Sequence, residues 1–172
     1  MSKKDYKEAG GMIPEDMGPL EILKIGIYNE VSARDFYLMM SGIIKDVSGR
    51  KKFLNLADDE KRHRETLEDW YKKESGGKVF PFDPKKVKKI RVEVKDHTSA
   101  FEAIDIALEA ERQAYLFYKE AAKRSKDEKG REMFKKLADE EDGHYQKLSA
   151  ERNAIAGGFY WFGLDQSAPL ED

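Results

Sequence analysis

The sequence has no cysteine among its 172 residues and contains only three histidines and five prolines. Without cysteine, the chain cannot form disulfides, use a thiol nucleophile, or build zinc or iron–sulfur sites on thiolates. Any metal that it binds must therefore be held by oxygen and nitrogen ligands. The length is that of one domain that can bury a hydrophobic core.

Neither sign of charge dominates, although 38% of the residues are charged. Lys and Arg number 32 and Asp and Glu number 34, which gives a net charge of −2 and a pI near 6.0. We therefore expect no nucleic-acid partner and no binding to anionic lipid. Long hydrophobic runs are also missing and the mean hydropathy is −0.78, so no membrane span is expected. The charged N-terminus lacks the apolar core of a signal peptide, which predicts a cytoplasmic protein.

Proline and glycine cluster at residues 10–19, 76–84 and 157–169 and divide the chain into helical stretches. Each stretch has helical periodicity and one break, at 46–50 in the first and 126–130 in the second. The pattern predicts a single domain with an N-terminal extension (1–18), hairpin one (20–74), a crossover (75–98), hairpin two (99–156) and an aromatic C-terminal tail (157–172). Ser99 and Glu102 have the spacing of a capping box that would open the third helix.

The crossover is the feature that distinguishes between helical architectures. Its 24 residues are enough to run the length of a 20-residue helix in an extended conformation. A simple up-and-down bundle has short loops throughout, whereas a ferritin-like bundle has a long crossover between two antiparallel hairpins. We therefore predict an all-α, ferritin-like four-helix bundle.

An internal repeat relates the two hairpins at a constant offset of 81 residues. Residues 56–63 read LADDEKRH, and residues 137–144 read LADEEDGH. Aligned without a gap, residues 21–67 and 102–148 are identical at 17 of 47 positions. This indicates a duplicated hairpin, with the two copies packed about a pseudo-two-fold axis.

Polar residues interrupt the apolar helix faces at positions that the repeat shares. They are Glu30, Glu60, His63, Glu111, Glu141 and His144. Four unpaired carboxylates inside a bundle would each cost several kcal/mol, and no lysine falls on these faces. In each Glu-x-x-His pair the side chains are three residues apart and point to one side of their helix. A single pair is more typical of a solvated face, but the repeated set predicts a site for two divalent metal ions.

The order Glu, Glu-x-x-His, Glu, Glu-x-x-His across two hairpins resembles the ferritin-like di-iron carboxylate proteins, and within them the rubrerythrin group. The resemblance covers about residues 20–150. It implies that Glu30 and Glu111 are the ligands from the first helix of each hairpin. It also implies two iron ions as the cofactor, although zinc or manganese suits the same ligand types.

Two features depart from the rubrerythrin pattern. Rubrerythrins typically carry a rubredoxin domain with paired cysteines, which this sequence lacks, so the resemblance implies an external electron donor such as a rubredoxin-type carrier. They also carry another ligand glutamate three residues after the one that matches Glu111, where this sequence has Ala114. The alanine leaves a small residue beside the metals where an oxygen species can bind.

Asp59 and Glu140 each precede a glutamate of the site and lie four residues before its histidine. By analogy with di-iron oxygenases, either acid would orient the imidazole of the opposite helix. Exposure to solvent and pairing with a neighbouring cation are equally compatible with these positions. The sequence leaves all three interpretations open.

Tyr37 and Tyr118 lie seven residues after Glu30 and Glu111, on the same helix faces. They are candidates either for core packing or for a redox or hydrogen-bonding role beside the metals. The tail has four consecutive aromatic residues, which predicts that it covers its own bundle or contacts a second subunit. We expect a homodimer.

The resemblance implies an enzyme that reduces peroxide or dioxygen as a defence against oxidative stress. The same centre would also serve an iron-handling protein that oxidises iron for storage or delivery. A third hypothesis is an interaction module in which the metals only stabilise the bundle. The ligand set alone does not separate these three functions.

Overall fold

The structure of the protein is a computed structural model. Its described part contains four long helices and one short 3₁₀ turn. It describes residues 13–44, 46–90 and 100–156. The elements are α1 (Pro19–Ile43), α2 (Val47–Glu74), the 3₁₀ turn (Pro84–Lys86), α3 (Ala100–Arg124) and α4 (Glu128–Ala156). α1 packs along α2 and α3 packs along α4, while α1 also contacts α3 and α2 contacts α4. The architecture is all-α, as predicted.

An aspartate caps the second helix of each hairpin. The Asp46 carboxylate accepts a hydrogen bond from the Gly49 amide at 2.7 Å, and Asp127 accepts one from Gly130 at 2.8 Å. The two pairs occupy matching positions in the repeat, and such caps satisfy amides that have no partner within the helix. The chain breaks between α1 and α2 and between α3 and α4, as predicted, but both glycines lie inside the first turn of the following helix, so each break is shorter than predicted.

The end of α2 depends on two glycines that adopt a left-handed backbone conformation. Gly76 has φ 72° and Gly77 has φ 94°, values that residues with a Cβ rarely adopt. The Gly77 amide donates to the Lys72 carbonyl at 2.7 Å, which closes the helix in the manner of a C-terminal glycine cap. The chain then leaves the bundle axis and begins the crossover.

Two apolar clusters fill the bundle, one toward each end. The lower cluster surrounds the start of α1 and the ends of α2 and α3, and includes Leu23, Ile27, Leu67, Phe117 and Phe134. The upper cluster surrounds the end of α1 and the starts of α2 and α3, and includes Phe36, Met40, Phe53, Ile104 and Leu148. This order along the helices makes α2 and α3 parallel, so the crossover must return from the lower end to the upper end.

The N-terminal extension is packed against the lower cluster where it can be described. Ile13 is 1% exposed, and the Arg124 guanidinium donates to the Ile13 carbonyl at 2.5 Å and also to the Pro14 carbonyl. The predicted aromatic tail (157–172) and Ser99 of the predicted capping box lie outside the described residues, as does His97, the third histidine of the sequence. Within the described ranges, no helix is long and apolar enough to cross a membrane.

Candidate metal centre

All four helices contribute side chains to one buried polar cluster between the two apolar clusters. The contributors are Glu30 from α1, Glu60 and His63 from α2, Glu111 from α3, and Glu141 and His144 from α4. Each of these six residues is at most 3% exposed. The structure therefore brings together every residue that the repeat predicts as a metal ligand.

One half of the cluster is centred on His63. Its Nδ1 atom lies 3.0 Å from Glu141 Oε1, 3.2 Å from Glu60 Oε2 and 3.5 Å from Glu30 Oε2. One potential ligand atom from each of these four residues lies within 4.8 Å of the others. Three carboxylates and one imidazole thus converge on a volume of the size that one metal ion occupies.

The other half repeats this arrangement around His144. Its Nδ1 atom lies 3.4 Å from oxygens of Glu111 and Glu141 and 3.5 Å from an oxygen of Glu60. Glu60 and Glu141 belong to both halves, whereas each half has its own lone glutamate and its own histidine. The two imidazole rings are nearly parallel, 5.6 Å apart at an angle of 22°. The cluster therefore has the form of two adjacent sites joined by two shared carboxylates.

Buried atoms without partners test whether metal ions fit this cluster. Among the described residues, no hydrogen-bond partner exists for Nδ1 of either imidazole or for Oε1 of Glu60 and Glu141. Buried polar groups are nearly always paired, and each one left unpaired costs about 1–3 kcal/mol. Two divalent cations would engage these lone pairs and balance four carboxylates. The donor set therefore fits a metal pair.

The outer nitrogens of both imidazoles are held by acids from the opposite hairpin. His63 Nε2 lies 2.7 Å from Glu140 Oε2, and His144 Nε2 lies 3.0 Å from Asp59 Oδ2. These contacts favour the tautomer that carries its proton on Nε2 and directs the Nδ1 lone pair into the cluster. The orienting role that analogy suggested for the two acids therefore has the required geometry.

The same two acids also pair with cations at the surface. Asp59 pairs with Arg62 on its own helix, and Lys136 Nζ lies 3.6 Å from Glu140 Oε1. Their side chains are 23% and 31% exposed, respectively. Each carboxylate is thus partly exposed and contacts both an imidazole and a surface cation. The three interpretations that the sequence left open therefore hold together.

The two tyrosines connect the lone glutamates across the hairpins. The Tyr37 hydroxyl on α1 donates to Glu111 Oε1 on α3, and the Tyr118 hydroxyl on α3 donates to Glu30 Oε1 on α1. Both tyrosine rings are fully buried, Tyr37 in the upper cluster and Tyr118 in the lower cluster. Each tyrosine therefore packs in the core and also positions a carboxylate of the site.

Burial and mutual repulsion control protonation in the metal-free cluster. Burial raises the pKa of Glu30 and Glu111 well above the usual 4.5, and the charges of Glu141 and Glu60 raise it further. Burial also raises the pKa of both tyrosines, with a further contribution from the glutamate that each contacts, so both phenols keep their protons. The lone glutamates therefore hold protons when no cation is present.

For the two histidines and Glu60, the net pKa shift is opposite to the shift that burial alone would cause. Burial alone would lower the pKa of both imidazoles, but the carboxylates that lie 3.0–3.5 Å from each Nδ1 outweigh it and raise the pKa well above 6.5. Burial alone would raise the pKa of Glu60, but its close contacts with the imidazoles of His144 and His63 lower it instead. Without metal, imidazolium ions supply the positive charge that the buried carboxylates require.

The rubrerythrin family model matches residues 21–152 of the chain. This chain belongs to the rubrerythrin family. The match spans both hairpins and the crossover. The predicted family and the predicted ferritin-like four-helix bundle are confirmed. Because the 172 residues include no cysteine, this family member has no rubredoxin-type iron site within them.

Solved structures from several organisms share this fold. A hypothetical protein from Pyrococcus furiosus is 30% identical, with 84% of this chain and 94% of that chain covered and a TM-score of 0.72. The dodecameric thioferritin of Bacteroides fragilis, its bacterioferritin-related protein, is 22% identical, with coverage of 81% and 87% and a TM-score of 0.69. A Thermotoga maritima protein described as ferritin-like and diiron-carboxylate is 23% identical, with coverage of 81% and 97% and a TM-score of 0.64. A comparison with curated protein sequences gives no match.

Sequence reasoning missed the residues that hold the start of the crossover against α1 and the lower apolar cluster. The Tyr28 hydroxyl accepts a hydrogen bond from the Asp83 amide at 3.0 Å, and its ring contacts Phe80 and Phe82. Tyr28 has no counterpart in the repeat, because residue 109 is a glutamate. The two hairpins differ at 30 of the 47 aligned positions, so a difference at this position does not by itself indicate a contact with the crossover.

Proposed function

We propose that this protein is a non-haem di-iron oxidoreductase that reduces peroxide, or dioxygen, with electrons from a separate carrier. The observation that carries the proposal is the paired, buried cluster whose two imidazole Nδ1 atoms have no partner among the described residues. Two Fe(II) ions held there would each give one electron to hydrogen peroxide, which with two protons becomes two water molecules. A separate electron carrier would supply these two electrons. Membership of the rubrerythrin family supports this class of chemistry.

Each residue of the cluster has a distinct part in this proposal. Glu60 and Glu141 join the two metal positions, because each lies within reach of both imidazoles. Glu30 and Glu111 each belong to one position, where a tyrosine hydroxyl fixes one of their oxygens. The apolar clusters above and below exclude bulk water, which strengthens the attraction between carboxylates and cations.

Metal content and transient kinetics test the proposal. Metal-free protein loaded anaerobically should bind two Fe(II) per chain, and stopped-flow mixing should show oxidation by peroxide at least about tenfold faster than by dioxygen. Glu111→Gln should lower the peroxide rate by about a hundredfold or more, because it removes one charged ligand. The control is Glu109→Gln on the same helix, since Glu109 is exposed and pairs only with its helix neighbours Arg112 and Gln113 in the described contacts.

Other outcomes would assign the protein to a different function. More than two irons per chain, retained by a very large oligomer, would favour ferroxidase activity and iron storage. If Glu111→Gln lowers only the melting temperature and leaves the oxidation rates unchanged, the metals serve to stabilise an interaction module. Equally slow oxidation by peroxide and dioxygen would contradict the peroxidase proposal.

A further inference from the structure

A cleft between α1 and α3 opens directly on the polar cluster. It has a volume of about 450 Å³, and its floor includes Glu30, Glu60, Glu111 and Glu141. Small side chains border it, and these are Ser32, Ala33, Ala110 and Ala114. Ala33 and Ala114 are repeat mates, so both helices present a small residue one turn from their lone glutamate. Small molecules can therefore reach the cluster from this side.

Aromatic contacts fix the start of the crossover against the bundle. The Tyr28 ring lies 5.5 Å from the Phe80 ring and 5.7 Å from the Phe82 ring, and its hydroxyl holds the Asp83 amide. The Arg64 guanidinium lies over the Phe82 ring at 5.0 Å. The chain from Phe80 to Asp83 is thus attached to both α1 and α2 before it passes the cleft.

The next part of the crossover places two lysines at the mouth of the cleft. Lys88, Lys89 and Ile90 line it, and Ile90 packs against the upper cluster. Both lysines are exposed, so two ammonium groups lie in contact with solvent at the mouth. Apart from the four glutamates, they are the only charged residues among the described residues that line the cleft. The described part of the mouth therefore carries two positive charges, while the floor consists of carboxyl groups.

We propose that Lys88 and Lys89 act as an electrostatic filter on the path to the cluster. Two fixed positive charges slow the approach of divalent cations and favour neutral or anionic small molecules, such as hydrogen peroxide or superoxide. Fixed charges at a cleft change association rates by about 10- to 1000-fold at low ionic strength. The filter would also slow the loss of bound metal. This inference rests on the proposed function only in that the cluster binds metal.

The experiment follows uptake of Co²⁺ by the metal-free protein, using the visible absorption of bound Co²⁺ in a stopped-flow instrument. The test variant is the double substitution Lys88→Glu and Lys89→Glu. The matched control is Lys85→Glu and Lys86→Glu, which makes the same change in net charge on the same crossover but outside the lining of the cleft. All four side chains are exposed, so both variants should fold.

At about 0.01 M salt, uptake by the test variant should be roughly tenfold faster than by the wild type, and uptake by the control should change by less than about twofold. At about 1 M salt, where the Debye length is about 3 Å, the difference should disappear. On the metal-loaded protein, azide should bind the test variant several-fold more weakly than the control, because the anion loses its attraction to the mouth.

Equal rates for all three proteins, or equal acceleration in both variants, would overturn the filter. The equilibrium stoichiometry separates this failure from a failure of the proposed function. If the wild type binds two Co²⁺ per chain and the rates do not depend on the lysines, only the filter is wrong. If the wild type binds no Co²⁺, the metal centre is wrong and the filter falls with it.

Discussion

At the scale of single residues, the two buried tyrosine hydroxyls give the first prediction. Tyr37→Phe and Tyr118→Phe each remove a hydrogen bond to a lone glutamate without opening a cavity. Each variant should lose about 1–2 kcal/mol of free energy of unfolding, and the two losses should be similar because the contacts are repeat mates. Urea denaturation of the metal-loaded protein measures this loss.

Tyr145→Phe is the control for these variants, since Tyr145 is a half-buried residue of α4 outside the cluster. Its effect should stay within about 0.5 kcal/mol. If Tyr37→Phe has no larger effect than this control, the hydroxyl does not position Glu111.

The acids that contact the outer imidazole nitrogens give the second prediction. Asp59→Asn and Glu140→Gln keep the size of each side chain but remove the charge that orients His144 and His63. Each substitution should weaken Co²⁺ affinity by about 10- to 100-fold, the usual effect of removing a partner of a metal-ligating histidine. Competition with a coloured chelator measures the affinity.

The control for Asp59→Asn is Asp58→Asn, an exposed neighbour with the same chemistry. Asp58 makes no described contact with an imidazole, so the affinity should change by less than about twofold. A loss as large as that of Asp59→Asn would mean that overall charge, and not the contact with His144, controls affinity.

At the scale of the helices, two glycines of α4 should respond differently to the same substitution. A Cβ at Gly143 would meet nothing within 4 Å, so Gly143→Ala should raise the free energy of unfolding by about 0.5–1 kcal/mol. A Cβ at Gly130 would lie 2.8 Å from Ser125 Oγ and 3.1 Å from the Trp70 ring. Because the Ser125 hydroxyl already donates to the Asp127 carbonyl, it is not free to move away.

Gly130→Ala should therefore lower the free energy of unfolding by about 1 kcal/mol, since overpacking outweighs the gain in helix propensity. Thermal or urea denaturation of both variants measures the difference. A stabilising effect of Gly130→Ala equal to that of Gly143→Ala would show that the turn before α4 relaxes around the new methyl group.

The helices could largely be predicted from periodicity, but their junctions could not. The motifs that follow α1 and α3 contain glycine, which sequence reasoning interpreted as a helix break. In the structure, Gly49 and Gly130 instead donate amides to aspartate caps, so the breaks are shorter than predicted. An aspartate followed by glycine three residues later can lie in a turn or can cap a helix. The local sequence is the same in both cases, and the packing of the following helix decides between them.

At the scale of the whole molecule, the four-helix cluster predicts how stability depends on pH. Without metal, the native state binds more protons than the unfolded state, because the pKa values of Glu30, Glu111, His63 and His144 are raised on folding. The free energy of unfolding of the metal-free protein should therefore fall as pH rises from about 5 to 8. The lowered pKa of Glu60 acts in the other direction, but only below its usual value of 4.5.

Metal loading should reverse this trend over the same range, since protons compete with cations for the same atoms. Urea denaturation at several pH values, with and without bound Co²⁺, measures both curves. If the metal-free protein becomes more stable between pH 5 and pH 8, the buried carboxylates are not protonated as the pKa shifts indicate.

The membership of the cluster could be predicted from the repeat, but the contacts within it could not. Burial of an unpaired carboxylate is unfavourable, and four carboxylates and two imidazoles at matching positions of the repeat predict a shared function. Analogy with di-iron oxygenases suggested that Asp59 contacts an imidazole of the opposite helix, but nothing in the sequence indicated that Tyr37 contacts the glutamate of the other hairpin. These pairings depend on how the hairpins dock, which periodicity within one helix does not encode.

This reciprocal arrangement has a consequence for assembly. A hairpin taken alone holds two carboxylates and one imidazole, and it lacks both the acid and the phenol that would orient them. The two hairpins can be synthesised as separate polypeptides. Each one alone should therefore not bind metal, and the two should associate when Co²⁺ is added to the mixture. Metal binding would then require that both hairpins are present and docked in the native arrangement.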